Sequence, residues 1–132
     1  MEETKNTIND PTAHALIAEK VCGWEKFELA GWGKWINTEG KTSTYDMDFP
    51  LSGAESREAA IDEARLKGFY VSAIPKDSFY LAQVEIARTG VKFFLYKDER
   101  GVEKQIRRFA TKAEAEFYAL LFTAQELEKL KP

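Results

Sequence analysis

The sequence predicts an α/β domain of the α+β kind: a mostly antiparallel sheet of about four to six strands sandwiched between helices in an α-β-α arrangement, with three helices. Three observations carry that reading. Helix-start chemistry occurs at three places, Asp10-Pro11, Ser52 with Glu55, and Thr111 with Glu114. Between the second and third lie apolar runs of period two, broken by Pro75-Lys-Asp-Ser, Thr89-Gly90 and Asp98-Glu-Arg-Gly turns. The chain has 132 residues, 44% apolar and 31% charged, which suits one packed domain and no more.

Element by element, Asp10 caps a helix over 11–22, Pro11 fits its first position, Gly23 stops it, and Ala13, Leu16, Ile17 and Val21 form its buried stripe. Residues 1–10 read as a flexible terminus and 11–132 as the domain. Trp24 to Ile36 suggests two short strands around a glycine-bearing turn, and 37–50 is a long loop of turn residues, a candidate binding region. The Ser52/Glu55 box opens an alanine-faced helix that Gly68 ends. Phe69–Ile74, Phe79–Arg88, Val91–Lys97 and Val102–Ala110 then spell a four-stranded meander, and a closing helix runs to about Lys129. Along the strands Tyr80, Ala82, Val84 and Ile86, with Val91, Phe93 and Leu95, form a core row. Gln83, Glu85, Phe94, Tyr96, Gln105 and Arg107 form a second row that needs a cover or a ligand.

With these elements placed, the run Leu16-Ile-Ala-Glu-Lys-Val-Cys-Gly-Trp24 resembles the opening of small phage and prophage proteins grouped as the phage ABA sandwich domain family. Over about 12–130 the likeness continues as an order of elements. It implies a sheet covered by helices on both faces, a phage or prophage origin, and no settled activity. The entry to the middle helix, Asp48-Phe-Pro-Leu-Ser-Gly-Ala-Glu55, departs from the family's usual pattern, and so does the closing helix, which lacks a proline-led start. A narrower likeness covers 92–116, where a basic hairpin leads into Thr111-Lys-Ala-Glu-Ala115, and is similar to the DNA-binding arm of phage integrases.

For chemistry, His14 and Cys22 stand out because each is the chain's sole residue of its type. Eight residues along one helix separate them by about 12 Å, so they form no dyad there. Cys22 then reads as a small apolar residue at a helix end and His14 as a polar flank. A zinc site needs about four Cys or His ligands. Asp46 and Asp48 are a weak hard-cation pair, and Gly31 and Gly33 lack the rest of a phosphate loop. No catalytic set, metal or cofactor is expected, and the chain is read as a non-enzyme.

Charge is segregated. Arg88 to Lys112 holds eight cations against three acids, a net +5, leaving −8 for the rest of a chain whose total is −3. Arg107, Arg108, Lys104 and Lys92, with Phe94 and Tyr96, could stack and pair an anionic nucleotide or single strand. Alternatively Phe94 and Tyr96 are core beneath a helix, and the cations line exposed edges. Trp32, Trp35, Tyr45 and Phe49 either offer a partner contact or pin the long loop to the core. Tyr118 and Phe122 widen the last helix's apolar surface beyond what one sheet face needs, which predicts a homo-oligomer.

The leading functional expectation is a non-enzymatic phage or prophage accessory protein acting by binding. Its concrete form is counter-defence, by blocking a host protein or sequestering a nucleotide signal at an oligomer interface. The alternative is a nucleic-acid-binding regulator that uses the hairpin 88–112. No membrane span is expected, and the cytoplasm of a bacterial host is the expected location.

Overall fold

The computed structural model describes residues 8–30, 32–37, 43–87, 90–93, 95–97, 100 and 103–129, with the backbone alone at 29, 32, 43, 91–93, 95–97 and 103–106. Helix α1 (Pro11–Ile17) starts as its sequence predicts: Asp10 is extended, and its carboxylate accepts the Thr12 N–H at 3.0 Å. Of the terminus read as flexible, Ile8 and Asp10 are tied in, Ile8 through its carbonyl to His14 and Asp10 through the cap.

The helix continues to Cys22, but Ala18–Cys22 is a π-turn, with the Gly23 and Trp24 N–H groups both bonded to the Ala18 carbonyl. Ala18, Val21 and Cys22 are all buried along this wider turn. Gly23 ends it at φ +70°, where a side chain is costly.

Strands β1 (Glu25–Leu29), β2 (Trp32–Asn37) and β3 (Ser43–Tyr45) form an antiparallel sheet in that order. The first turn is tight, closing at Leu29↔Trp32, with Ala30 in left-handed conformation at φ +48°. Helix α2 (Ala54–Leu66) is capped by Gly53, with no side-chain cap bond. The Ser52/Glu55 box is therefore not formed; the Ser52 hydroxyl instead donates to the Phe49 carbonyl and closes the preceding turn. Gly68, at φ +90°, turns the chain straight into β4 (Phe69–Pro75).

Strand β4 pairs with β5 (Tyr80–Ile86) over seven residues, from Phe69↔Ile86 to Pro75↔Tyr80. The next hairpin departs from expectation. A turn at Thr89-Gly90 would set Arg88 against Val91, whereas β6 (Gly90–Phe93) pairs Ile86 with Gly90 and Gln83 with Phe93. That is an odd register shift, and it moves a row to the other face. Val91 and Phe93 stand opposite Glu85 and Gln83, not in the row of Val84 and Ile86.

The meander is also divided. After Phe93 the strand pairs elsewhere: β7 (Leu95–Lys97) forms a two-stranded ribbon with β8 (Glu103–Ile106), and the returning chain rejoins β5 at a Tyr80↔Phe109 bridge. Instead of one sheet of four to six strands, the described residues form antiparallel ladders of three, three and two strands. The class is α+β with three helices, α3 being Lys112–Lys129, begun where Thr111 Oγ1 accepts the Glu114 N–H at 3.1 Å.

The layering corrects the α-β-α expectation. Helix α3 packs on β4 and β5, α2 packs on β4 beside α3, and α1 with its π-turn packs on the two helices. Phe69, Val71, Ala82 and Val84 face this layer and are buried, while Tyr70 and Glu85 on the opposite face are exposed. Among the described residues no helix packs on that opposite face to any extent comparable with these contacts. The reason lies in α3, which buries Ala115, Phe117, Ala119, Leu120, Leu121, Thr123 and Ala124 on nearly all sides. A helix apolar all round takes a central place, with the sheet on one side and α1 on the other.

Candidate functional site

Two polar constellations emerge from this framework, one at the root of the basic ribbon and one inside. At the ribbon root the chain leaves β8 and reaches Phe109 beside β5. Successive residues of an extended chain point to opposite sides, and the two arginines do so. The Arg107 guanidinium lies 4.6 Å from the ring centre of Tyr118 and 5.3 Å from that of Phe109, and those two rings are 5.2 Å apart. Arg108 lies 4.5 Å from the ring centre of Phe79, in the turn between β4 and β5. Each guanidinium is thus braced on an aromatic face, an attraction worth about 0.5–1 kcal/mol near solvent.

The structure therefore separates two residues expected to share a ligand: Arg107 sits toward α3 and Arg108 over another ring. It unites two that were expected apart, because Tyr118 of the predicted oligomer flank lies under Arg107. Part of that flank is therefore covered within the chain. Phe122 is half-buried against the same core. Phe94 lies outside the described residues, as do the side chains of Lys92, Tyr96, Lys104 and Trp32.

The long loop's aromatics turn inward. Trp35 is 1% exposed, and its indole N–H donates to the Met47 carbonyl at 2.9 Å, which leaves it no surface for a partner. Tyr45 stacks on buried Trp24 at 4.4 Å, and Phe49 meets His14 edge-on at 5.4 Å. Burying such large rings against a twisted sheet stabilises the loop more than exposing them would.

These contacts organise an internal strap, Asp46–Gly53, between β3 and α2. The Asp46 carboxylate accepts the N–H groups of Asp48 and Phe49, both at 3.0 Å, and these bonds hold it below the usual carboxylate range. The Leu51 N–H donates to His14 Nδ1 at 3.0 Å, and His14 Nε2 lies 2.6 Å from the Ile8 carbonyl. Arg57 grips the strap's far end: Nη1 donates to the carbonyls of Ser52 at 2.6 Å and Leu51 at 3.3 Å, and Nε bonds Glu116 of α3 at 3.2 Å.

His14 is fully buried, not a polar flank, and desolvation lowers its pKa against the opposing pull of the Ile8 carbonyl, Asp10 and Asp46. Cys22 has separate electrostatic neighbours, Glu63 and Lys67. Burial, with Glu63 adding to it, pushes the thiol up, so it is no thiolate nucleophile near neutral pH.

Neither His14 nor Arg57 was singled out by sequence as a tie. The signal is nonetheless present: each stands three and seven residues before apolar stripe members, His14 before Ile17 and Val21, Arg57 before Ala60 and Ala64. A polar residue in a buried stripe needs partners inside the protein. Among the described residues no group of three or more His, Cys, Asp or Glu side chains converges as a metal site, and no helix is long and apolar enough to cross a membrane. In comparisons with known proteins, the chain matches no family model, no curated protein and no solved structure.

Proposed function

We propose that this protein acts by binding an anionic partner and not by catalysis, with Arg107 and Arg108 as its anchoring cations. The observation that carries the reading is the pair of guanidinium groups braced on Tyr118 and Phe79 at the root of a ribbon within a segment of net +5. Bracing on a ring limits the conformations an arginine loses on binding, and a guanidinium is the side chain best shaped to pair an anion. The reactive side chains of the interior support the same reading, since both His14 nitrogens meet backbone groups and the Cys22 thiol is held protonated.

In the setting implied by the likeness to phage ABA sandwich proteins, the proposal takes the form of a phage or prophage accessory protein in a bacterial cytoplasm. It would serve counter-defence by blocking a host protein or holding a nucleotide signal, as a homo-oligomer. The separation of Arg107 from Arg108 favours a second reading, a nucleic-acid-binding regulator, because an extended polyanion can meet cations on two sides of a ribbon more readily than one small ligand can.

Thermal unfolding with mono- and dinucleotides, together with anisotropy of labelled single- and double-stranded oligonucleotides over a salt series, tests both. A nucleotide ligand raises the melting temperature by mass action. A nucleic-acid partner binds with an affinity that falls steeply as salt rises. In either case Arg107→Ala and Arg108→Ala each weaken binding. Absence of any response to these probes at low salt sinks both the nucleotide and the nucleic-acid forms of the proposal.

A further inference from the structure

The strap Asp46–Gly53 and the entry to α1 are far apart in sequence, and the imidazole of His14 bonds both. Its two contacts fix the tautomer. Nδ1 receives the Leu51 N–H and so carries no proton; Nε2 carries the proton and donates to the Ile8 carbonyl. Phe117 of α3 closes one side of the ring at 4.6 Å between centres, and Phe49 of the strap closes another at 5.4 Å. The ring is 0% exposed. A second proton would land on Nδ1 and set a donor against the Leu51 N–H, replacing a hydrogen bond with a repulsion.

We infer that His14 is a proton-operated latch: neutral, it holds the strap to α1 and α3, and doubly protonated it releases the Leu51 amide and opens the strap locally. The surrounding charges make the latch responsive. Asp10 at the start of α1 and Asp46 on the strap attract an imidazolium; Arg57 of α2, at the Leu51 carbonyl, is paired with Glu116 of α3. Lys34 of β2 lies in the field of Asp46 and weakens its pull. Burial keeps the folded imidazole neutral below its ordinary value of 6.5, so the latch works on the acid side of neutrality. Opening stays local because the strap is also held at its two ends, at Met47 by Trp35 and at Ser52 by Arg57. What it uncovers is Leu51, wholly buried when the latch is closed, and the Phe49 and Phe117 faces that enclose the ring.

Amide hydrogen exchange by NMR across pH 7 to 5, corrected for the intrinsic rate, tests the latch. In the wild-type protein the protection of Leu51 falls by up to about tenfold per pH unit below the ordinary histidine value, and at every pH it stays below that of Val84 in β5, whose exchange requires global unfolding. His14→Gln supplies an amide oxygen and an N–H group but no titration, and its Leu51 protection is flat over the same range. The proposal is overturned by flat Leu51 protection in the wild type, by Leu51 protection equal to that of Val84 throughout, or by the same pH dependence in H14Q. Should H14Q fail to fold, the wild-type imidazole resonances decide: His14 must titrate as the Nε2–H tautomer with the same midpoint as the Leu51 amide shift, and separate midpoints overturn the latch.

Discussion

Arg57 ties the strap to α3, since one guanidinium satisfies two strap carbonyls and the Glu116 carboxylate. Its side chain and that of Glu116 are only 11% and 13% exposed, so solvent can replace little of what each provides. Arg57→Ala leaves Glu116 as a largely buried carboxylate and orphans the Leu51 and Ser52 carbonyls; urea unfolding should show a loss of about 3 kcal/mol or more. Pairing Arg57→Met with Glu116→Leu should recover much of it, because burying no charge costs less than burying half a pair. A second contrast is steric. A Cβ at Gly33 would fall on the Met47 sulfur, so Gly33→Ala should destabilise by about 1–3 kcal/mol, and less in a Met47→Ala background. Unequal effects in the two backgrounds are the readout; simple additivity would refute the collision.

Among the elements, the helix starts were legible because capping is local chemistry: Asp10 and Thr111 each bond amides within three residues. The Ser52/Glu55 box failed because a nearby carbonyl, that of Phe49, took the serine hydroxyl. The π-turn and the β6 register were not legible. The first depends on what packs around Ala18, Val21 and Cys22, and the second on one connecting residue more or less, which turns Phe93 from the Val84 row to the Gln83 row. Of the candidate site, the sequence marked Arg107 and Arg108 by charge, but their separation follows from the return of the chain to Tyr80, a long-range pairing. At the end of the π-turn Gly23 has positive φ and open space where a Cβ would stand. Gly23→Ala should therefore cost about 1–2 kcal/mol purely from conformation, measurable as a lower urea midpoint with unchanged slope.

At the scale of the whole molecule, the strap joins the three-stranded sheet of β1–β3 to the helical layer, and two of its ties titrate. Both weaken in acid, and the signs agree. His14 has a folded pKa below 6.5, so its contribution is complete above that value and is lost as pH falls from it toward the folded value. Asp46 has a folded pKa below its ordinary 3.8, so its contribution persists to lower pH and disappears as pH falls through the folded value. Unfolding free energy measured in urea from pH 8 to 3 should accordingly separate them. The difference between wild type and His14→Gln is constant above about pH 6.5 and declines below it, by at most about 1.4 kcal/mol per pH unit for one proton. The difference between wild type and Asp46→Asn is constant until about pH 4 and narrows below that. A wild-type minus H14Q difference that grows as pH falls would mean that His14 gains its partner when charged, contrary to the Leu51 N–H on its Nδ1. The strap's resistance to acid is thus set by two residues, wholly buried His14 of α1 and exposed Asp46 of the strap itself, with the buried one yielding first.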